Sequence, residues 1–277
     1  MLGIDVGWSQ KRPTTGFCLI EWRNRRVHLE CCQAGTDEDD RRSKLRQLVG
    51  KRQLLAVAID GSLVPGLGIT AQYRPVEALL SRGKFQRRGK PGPTSSGSGQ
   101  RLHQEATKLA RLVTSNQDLA PAAFPCRVSQ KAIVEAFPNA FLAFLHPDEG
   151  FPRQPQQSRR WTDTLFPRVS QRLPQLLEIL LPKYQLDFNI KQVKGHDTVA
   201  SFICAITALC VVLARCVIIG DPHLGYIALP PLELWGQSLS GDSRWALDAL
   251  RDNWAAVRHQ FPEISIYRDN NPEPALL

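Results

Sequence analysis

The sequence predicts an α/β fold: a mixed β-sheet with three antiparallel strands first and parallel strands after them, flanked by helices and carrying a helical insertion. Three observations carry this expectation. Three short apolar and β-branched runs follow one another with gaps only long enough for turns. Two later apolar runs, LLAVAID and KAIVEA, each meet an acid near their end, as buried strands leading to a sheet edge would. A strongly apolar stretch, residues 198–220, has the length and composition of a central buried helix.

In chain order, LGIDVG, GFCLIEW and RVHLECCQA are the first three strands, separated by turn-compatible stretches with Pro13, Gly16 and Asn24. TDEDDRRSKLRQLVGK places acids early and bases late, which complements a helix dipole, and Leu45 and Leu48 mark its core-facing stripe. The strand in LLAVAIDGSLVPG ends at Asp60 before Gly and Pro. Residues 81–103 contain no acid but carry Arg82, Lys84, Arg87, Arg88, Lys90 and Arg101 around GKPGPTSSGSG. They read as a flexible basic loop, either solvated or gripping phosphate. KAIVEAFPNAFLAFL repeats the pattern of a strand, an acid at Glu135 and a turn at Pro138. Residues 151–194 read as a mainly helical basic insertion, with Arg153, Arg159, Arg160, Arg168 and Arg172 beside LPQLLEILLP. The long helix from about Asp197 follows, then a strand in GYIALP and an amphipathic helix in DSRWALDALRDNWAAVRHQF. Residues 1–277 are expected to form one domain.

Composition narrows the function classes. A formal charge of +9 and a pI near 9.4 favour a polyanionic partner such as nucleic acid. The seven cysteines are odd in number and never form CxxC, which predicts reduced thiols in the cytoplasm rather than a disulfide framework or zinc ribbon. No charged segment followed by an apolar one precedes the first strand, so no secretory leader is expected. Arg215 interrupts residues 198–220, which favours a buried helix over a membrane span. Neither GxxxxGK[ST] nor HExxH occurs.

The chemistry-bearing pattern is a recurring acid. Asp5, Asp60 and Glu135 lie near the ends of apolar strands, and Asp197 starts an apolar helix. Each has a local alternative except Asp5: Asp60 before Gly-Ser suits an Asx-turn, Asp197 suits a first helical turn, and Glu135 could pair with Lys131 or Arg127. Asp5 lies within a strand, where a carboxylate has no capping role and its burial needs compensation. Carboxylates converging on one sheet edge repel unless a cation lies between them, and Mg2+ or Mn2+ takes such oxygen ligands. Trp8, beside these acids, could stack on a base or serve only in packing.

GIDVG, AIDGSL, VEAFPNAF and GHDTVASFICAITAL, in this order, resemble the uncharacterised family of predicted RNase H-like nucleases, which shares its fold with RNase H, RuvC-type resolvases and the actin-like sugar kinases. The resemblance covers most of the chain, to about Pro230. It implies an RNase H-like sheet and divalent-metal-dependent phosphodiester hydrolysis of DNA or RNA by a hydrolase. Asp5 would be the bridging acid, with Asp60, Glu135 and Asp197 as further catalytic metal ligands for Mg2+ or Mn2+. His196 would orient phosphate or water. Lys84, Arg87, Arg88, Lys90 and Arg101 are the candidate nucleic-acid contacts, by charge alone. The resemblance departs at Ala200, where family members commonly carry a second acid three residues after the HD aspartate.

Two other functions remain at this stage. Ala200 motivates a non-catalytic nucleic-acid-binding protein on the same fold. GIDVGWS with Thr14, Thr15 and Gly16 superficially resembles the phosphate-binding hairpin of an actin-like ATP-dependent phosphotransferase, but the partner motifs of such kinases are missing. No membrane partner is expected, and the oligomeric state is left open, a homodimer included.

Overall fold

The computed structural model describes residues 1–88, 91–121, 131–147, 161–236, 244–268 and 271–272. Its centre is a mixed sheet. The strands are β1 (Leu2–Asp5), β2 (Thr15–Arg23), β3 (Arg26–Ala34), β4 (Ala56–Asp60), β5 (Ala132–Ala136), β6 (Val217–Asp221), β7 (Gly225–Leu229) and β8 (Ser265–Arg268). They lie in the order β8-β6-β7-β5-β4-β1-β2-β3, and three two-residue bridges complete the sheet. β1, β2 and β3 pair antiparallel, while β1, β4, β5 and β7 pair parallel. β6 runs antiparallel to both β7 and β8.

Helices cover both faces. α1 (Glu38–Val49) starts where the Asp37 side chain accepts from the Asp40 amide, and stops at Gly50 with φ +58°. α2 (Pro75–Leu80), α3 (Gly97–Thr114), α4 (Pro138–Leu145), α5 (Trp161–Val169), α6 (Arg172–Leu180), α7 (His196–Val212) and α8 (Trp245–Val257) follow. β1, β4 and β5 are short and buried on both faces, which is why they read as unbroken apolar runs. One face, with Cys18, Ala58, Val134 and Ala136, packs on α7 and α4 to α6. The other, with Leu2, Ile4, Val57, Ile59 and Ile133, packs on α1 and α3. A third cluster joins β6 and β7 to α2 and α8 around Trp235 and Trp245.

α7 is buried on nearly every side, and glycines bring its backbone onto the sheet. A Cβ on Gly3 would lie 2.0 Å from the Ser201 carbonyl oxygen, and one on Gly16 would lie 2.3 Å from that of Asp197. These two strand positions therefore fix where the start of α7 sits.

Three expectations need correction. The apolar run 198–220 is not one helix: α7 ends at Val212, Ala214 takes φ +53°, and Val217–Asp221 is the strand β6. Helix and buried strand both present continuous apolar residues, so the boundary was hidden. The basic stretch 81–103 is not one flexible loop. Gly83–Arg87 forms a 3-10 turn packed against α8, and α3 begins at Gly97 because the Ser96 hydroxyl caps the Gly99 amide at 3.1 Å. Lys131 pairs with Asp118 rather than Glu135, while Arg127 lies outside the described residues, as do Arg153, Arg159 and Arg160. α5 and α6 make the insertion helical from Trp161 to Leu180. Among the described residues, no helix is long and apolar enough to cross a membrane.

Candidate metal centre

Strand register brings two of the four acids together. Asp5 ends β1 and Asp60 ends β4, and the two occupy paired positions on neighbouring parallel strands. Side chains paired in this way point to the same face, here the one under α7. Gly16 on β2 is the cross-strand partner of Asp5 on its other side, and the Asp197 backbone rests on that glycine. The start of α7 is thereby set over the ends of β1 and β4.

Donor atoms of Asp5, His196 and Asp197 lie within 4.8 Å of one another. Asp5 is buried, and His196 and Asp197 are half-buried. The Gln33 amide donates to Asp197 Oδ2 at 3.3 Å, which helps orient that carboxylate. Asp60 hydrogen-bonds Asp5, and its pKa is pushed up to about 7. Burial is the main cause and the Glu135 charge the second, while the Asp5 hydrogen bond pulls the other way. Asp5, Asp60, His196 and Asp197 all line a cleft of about 540 Å3 with Gly7, Trp8 and Arg12.

No protein-family model, curated protein or solved structure matches this chain significantly.

Glu135 does not join the group. It pairs in register with Ile59, one position before Asp60, so the pleat turns it to the opposite face of the sheet. There the Arg74 guanidinium holds it in a two-pronged contact, Nη2 to Oε1 at 2.6 Å and Nη1 to Oε2 at 2.7 Å, and the Leu63 amide donates at 2.9 Å. Burial raises the Glu135 pKa against the pull of Arg74. Arg74 also donates to Glu77 at 2.7 Å, and Glu77 accepts from the Thr94 amide and hydroxyl. Burial disfavours the Arg74 charge, but Glu135 and Glu77 outweigh it and keep its pKa above the ordinary value. This buried cluster ties the segment before α2 to the sheet. Only the pleat parity of β5 against β4, fixed by register, separates Glu135 from the other acids.

The expected basic contacts scatter. Arg101, on the first turns of α3, donates to the Trp8 carbonyl at 3.3 Å from the next cleft, beside the carboxylate one. Arg88 stacks over Trp245 at 4.1 Å, and Lys84 lies on the turn against α8. Lys90 lies outside the described residues, as does the Arg87 side chain. Arg12 and Arg41 escaped the sequence reading. Arg12 lines the cleft. The buried Arg41 donates to the carbonyls of Gly7 at 2.6 Å and Gly35 at 3.2 Å and to Glu105 at 2.7 Å, fastening the segment after β1. Within DEDDRRSK nothing distinguishes Arg41 from its solvated neighbours, whereas Arg12, seven residues after Asp5 in a short connection, could have been placed near the site.

Proposed function

We propose that the protein is a divalent-metal-dependent nuclease with an RNase H-like fold, hydrolysing phosphodiester bonds of DNA or RNA. The observation carrying this reading is the convergence of Asp5, His196 and Asp197 within 4.8 Å, with Asp60 hydrogen-bonded to Asp5. The strand order β3-β2-β1-β4-β5, three antiparallel strands and then parallel ones, supports the fold assignment.

The residues fit a cation. Asp5, Asp60 and Asp197 supply the oxygen donors that Mg2+ or Mn2+ takes, and burial, with the Glu135 charge second, raises the Asp60 pKa, a cost that a bound cation would offset. The His196 imidazole adds a nitrogen donor, which a first-row transition ion accepts better than Mg2+ does, so Mn2+ is the first ion to test. When bound, the ion would supply Lewis-acid chemistry, activating water and neutralising charge on the phosphate. Asp5 would hold it from the strand end, Asp197 and His196 would close on it from α7, and Asp60 would give up the proton it carries near neutral pH. Arg12 and Arg101, at the rim, would hold the phosphate backbone without reading its sequence. Glu135, clamped by Arg74, would support the fold and stay out of the chemistry.

A non-catalytic nucleic-acid-binding protein is the second reading. Ala200 is buried and Glu135 is engaged elsewhere, which leaves three acids at the site among the described residues. The deciding experiment is cleavage of labelled single-stranded, duplex and four-way-junction DNA, RNA and an RNA/DNA hybrid with Mn2+ or Mg2+. Products that need the metal and vanish with EDTA or in Asp5→Asn support the nuclease. Binding without cleavage in any lane supports the second reading.

A further inference from the structure

Trp8 leaves 37% of its surface exposed, so its ring is open to a ligand from the solvent side. It lines two clefts at once: the carboxylate cleft, and a neighbouring one of about 290 Å3 with Gln10, Arg41, Arg101, Glu105 and Lys108 on its walls. Its backbone is fastened on both sides. The preceding Gly7 carbonyl accepts from the buried Arg41 and from the Thr15 hydroxyl at 3.3 Å, and its own carbonyl accepts from Arg101. After it, the Ser9 amide donates to the Thr14 hydroxyl at 3.3 Å. A partly exposed indole on so firmly tied a backbone is preorganised to receive a flat partner.

The surrounding charges define that partner. Arg12 lines the acidic cleft yet forms no ion pair among the described residues, and Arg101 spends one donor on a carbonyl, so both guanidinium charges are left for an anion. Lys108 adds a third cation, shared with Glu105. An exposed ring bracketed by cations suits a chain that alternates planar bases with phosphates. Duplex bases are stacked on each other and present no free face to a side chain.

We propose that Trp8 is the stacking platform of a single-stranded nucleic-acid subsite that runs from the carboxylate cleft into the cleft beside α3, with Arg12 and Arg101 on the flanking phosphates. The proposal deepens the nucleic-acid reading and rests on it, but not on hydrolysis. A substrate strand would pass over the indole with one base stacked there and the adjoining phosphate turned toward Asp5 and Asp197.

The test is fluorescence anisotropy of labelled single-stranded DNA and RNA 20-mers and of the corresponding duplex, in EDTA so that nothing is cut. Trp8→Ala should weaken single-strand binding by roughly tenfold to a hundredfold, Trp8→Phe should restore most of it, and the weaker duplex binding should stay unchanged. Arg12→Ala and Arg101→Ala should each weaken binding and flatten its salt dependence. Thermal unfolding of Trp8→Ala should show a cooperatively folded protein at the assay temperature, with a loss of stability limited to the buried part of the ring. Equal single-strand affinity in wild type and Trp8→Ala overturns the proposal, as do equal losses for single strand and duplex. So does Trp8-dependent binding of mononucleotides alone. Parallel Mn2+ cleavage assays separate the two ideas: Trp8-dependent binding without cleavage sinks hydrolysis and keeps the subsite, whereas cleavage indifferent to Trp8→Ala does the reverse. If no oligonucleotide binds, both fail.

Discussion

Asp5 and Asp60 end neighbouring parallel strands in the same register and share a hydrogen bond, and burial pushes the Asp60 carboxyl up to about 7. An acid whose folded pKa is raised stabilises the fold fully below its ordinary value near 3.8 and loses that contribution as pH rises through about 7. In EDTA, the melting temperature of wild type should therefore fall between pH 4 and pH 7 more than that of Asp60→Asn. At pH 8 the metal-free variant should be the more stable of the two. Parallel pH profiles for the two proteins would contradict this.

Removing one member of the Arg74 and Glu135 pair strands a buried charge. Arg74→Met should cost about 3–5 kcal/mol in urea unfolding, and Glu135→Gln should also destabilise. Glu135→Gln should leave Mn2+ affinity close to wild type under conditions where it remains folded. A large loss of affinity there would return Glu135 to the metal site.

Gly16→Ala tests how the site is held. The added Cβ would press on the Asp197 carbonyl at 2.3 Å, and neither backbone can yield without moving the start of α7. Overpacking of this kind costs about 1–3 kcal/mol, and Mn2+ affinity should fall even though no ligand atom is removed. Calorimetric titration reads this directly, and unchanged affinity would mean that the helix start is free to shift.

His103 should set part of the acid sensitivity. Its Nδ1 lies 2.7 Å from the Ser62 carbonyl and its Nε2 accepts the Thr70 amide at 3.1 Å, which fixes the neutral ring with the proton on Nδ1. Burial holds its pKa below the ordinary value against the raising pull of the Ser62 hydrogen bond, with the Arg74 charge adding to the lowering and Glu77 opposing it. The stability it contributes is complete above about pH 6.5 and is lost as pH falls toward the lowered folded value. Between pH 7 and 5, thermal unfolding of wild type should drop more steeply than that of His103→Gln, whose amide can both donate and accept. Equal slopes would show that the ring is not held in the neutral form.

Much of the fold was legible because the local signals agreed with one another. The first three strands, α1 with its acidic first turn, and the buried strand ending at Asp60 all lie where pattern and punctuation put them. Signals failed where two structures share one pattern. Residues 198–220 are uniformly apolar, and the turn at Ala214 is marked by no Gly or Pro. In GKPGPTSSGSG, composition masked a helix start that depends on the single Ser96 cap. At the site, Asp5 stood out as an acid in an apolar run with no capping role, and the same acid at other strand and helix ends led to Asp60 and Asp197; the structure places Asp5 at the very end of β1 rather than inside it. Glu135 carries the same local pattern, yet its face depends on the register of β5 against β4, a relation between distant segments that no run of residues encodes. Arg74 and Arg41 escaped for the same reason, since both are defined by partners far along the chain.

The most direct measurement is Mn2+ binding by the metal-free protein, with free ion counted by electron paramagnetic resonance, in wild type, Asp5→Asn and Asp197→Asn. The account predicts saturable binding by wild type, lost or greatly weakened in both variants while their thermal unfolding shows an intact fold. Folded wild type that binds no Mn2+, or Asp5→Asn that binds it equally well, would contradict the assignment of these strand and helix ends as a cation site.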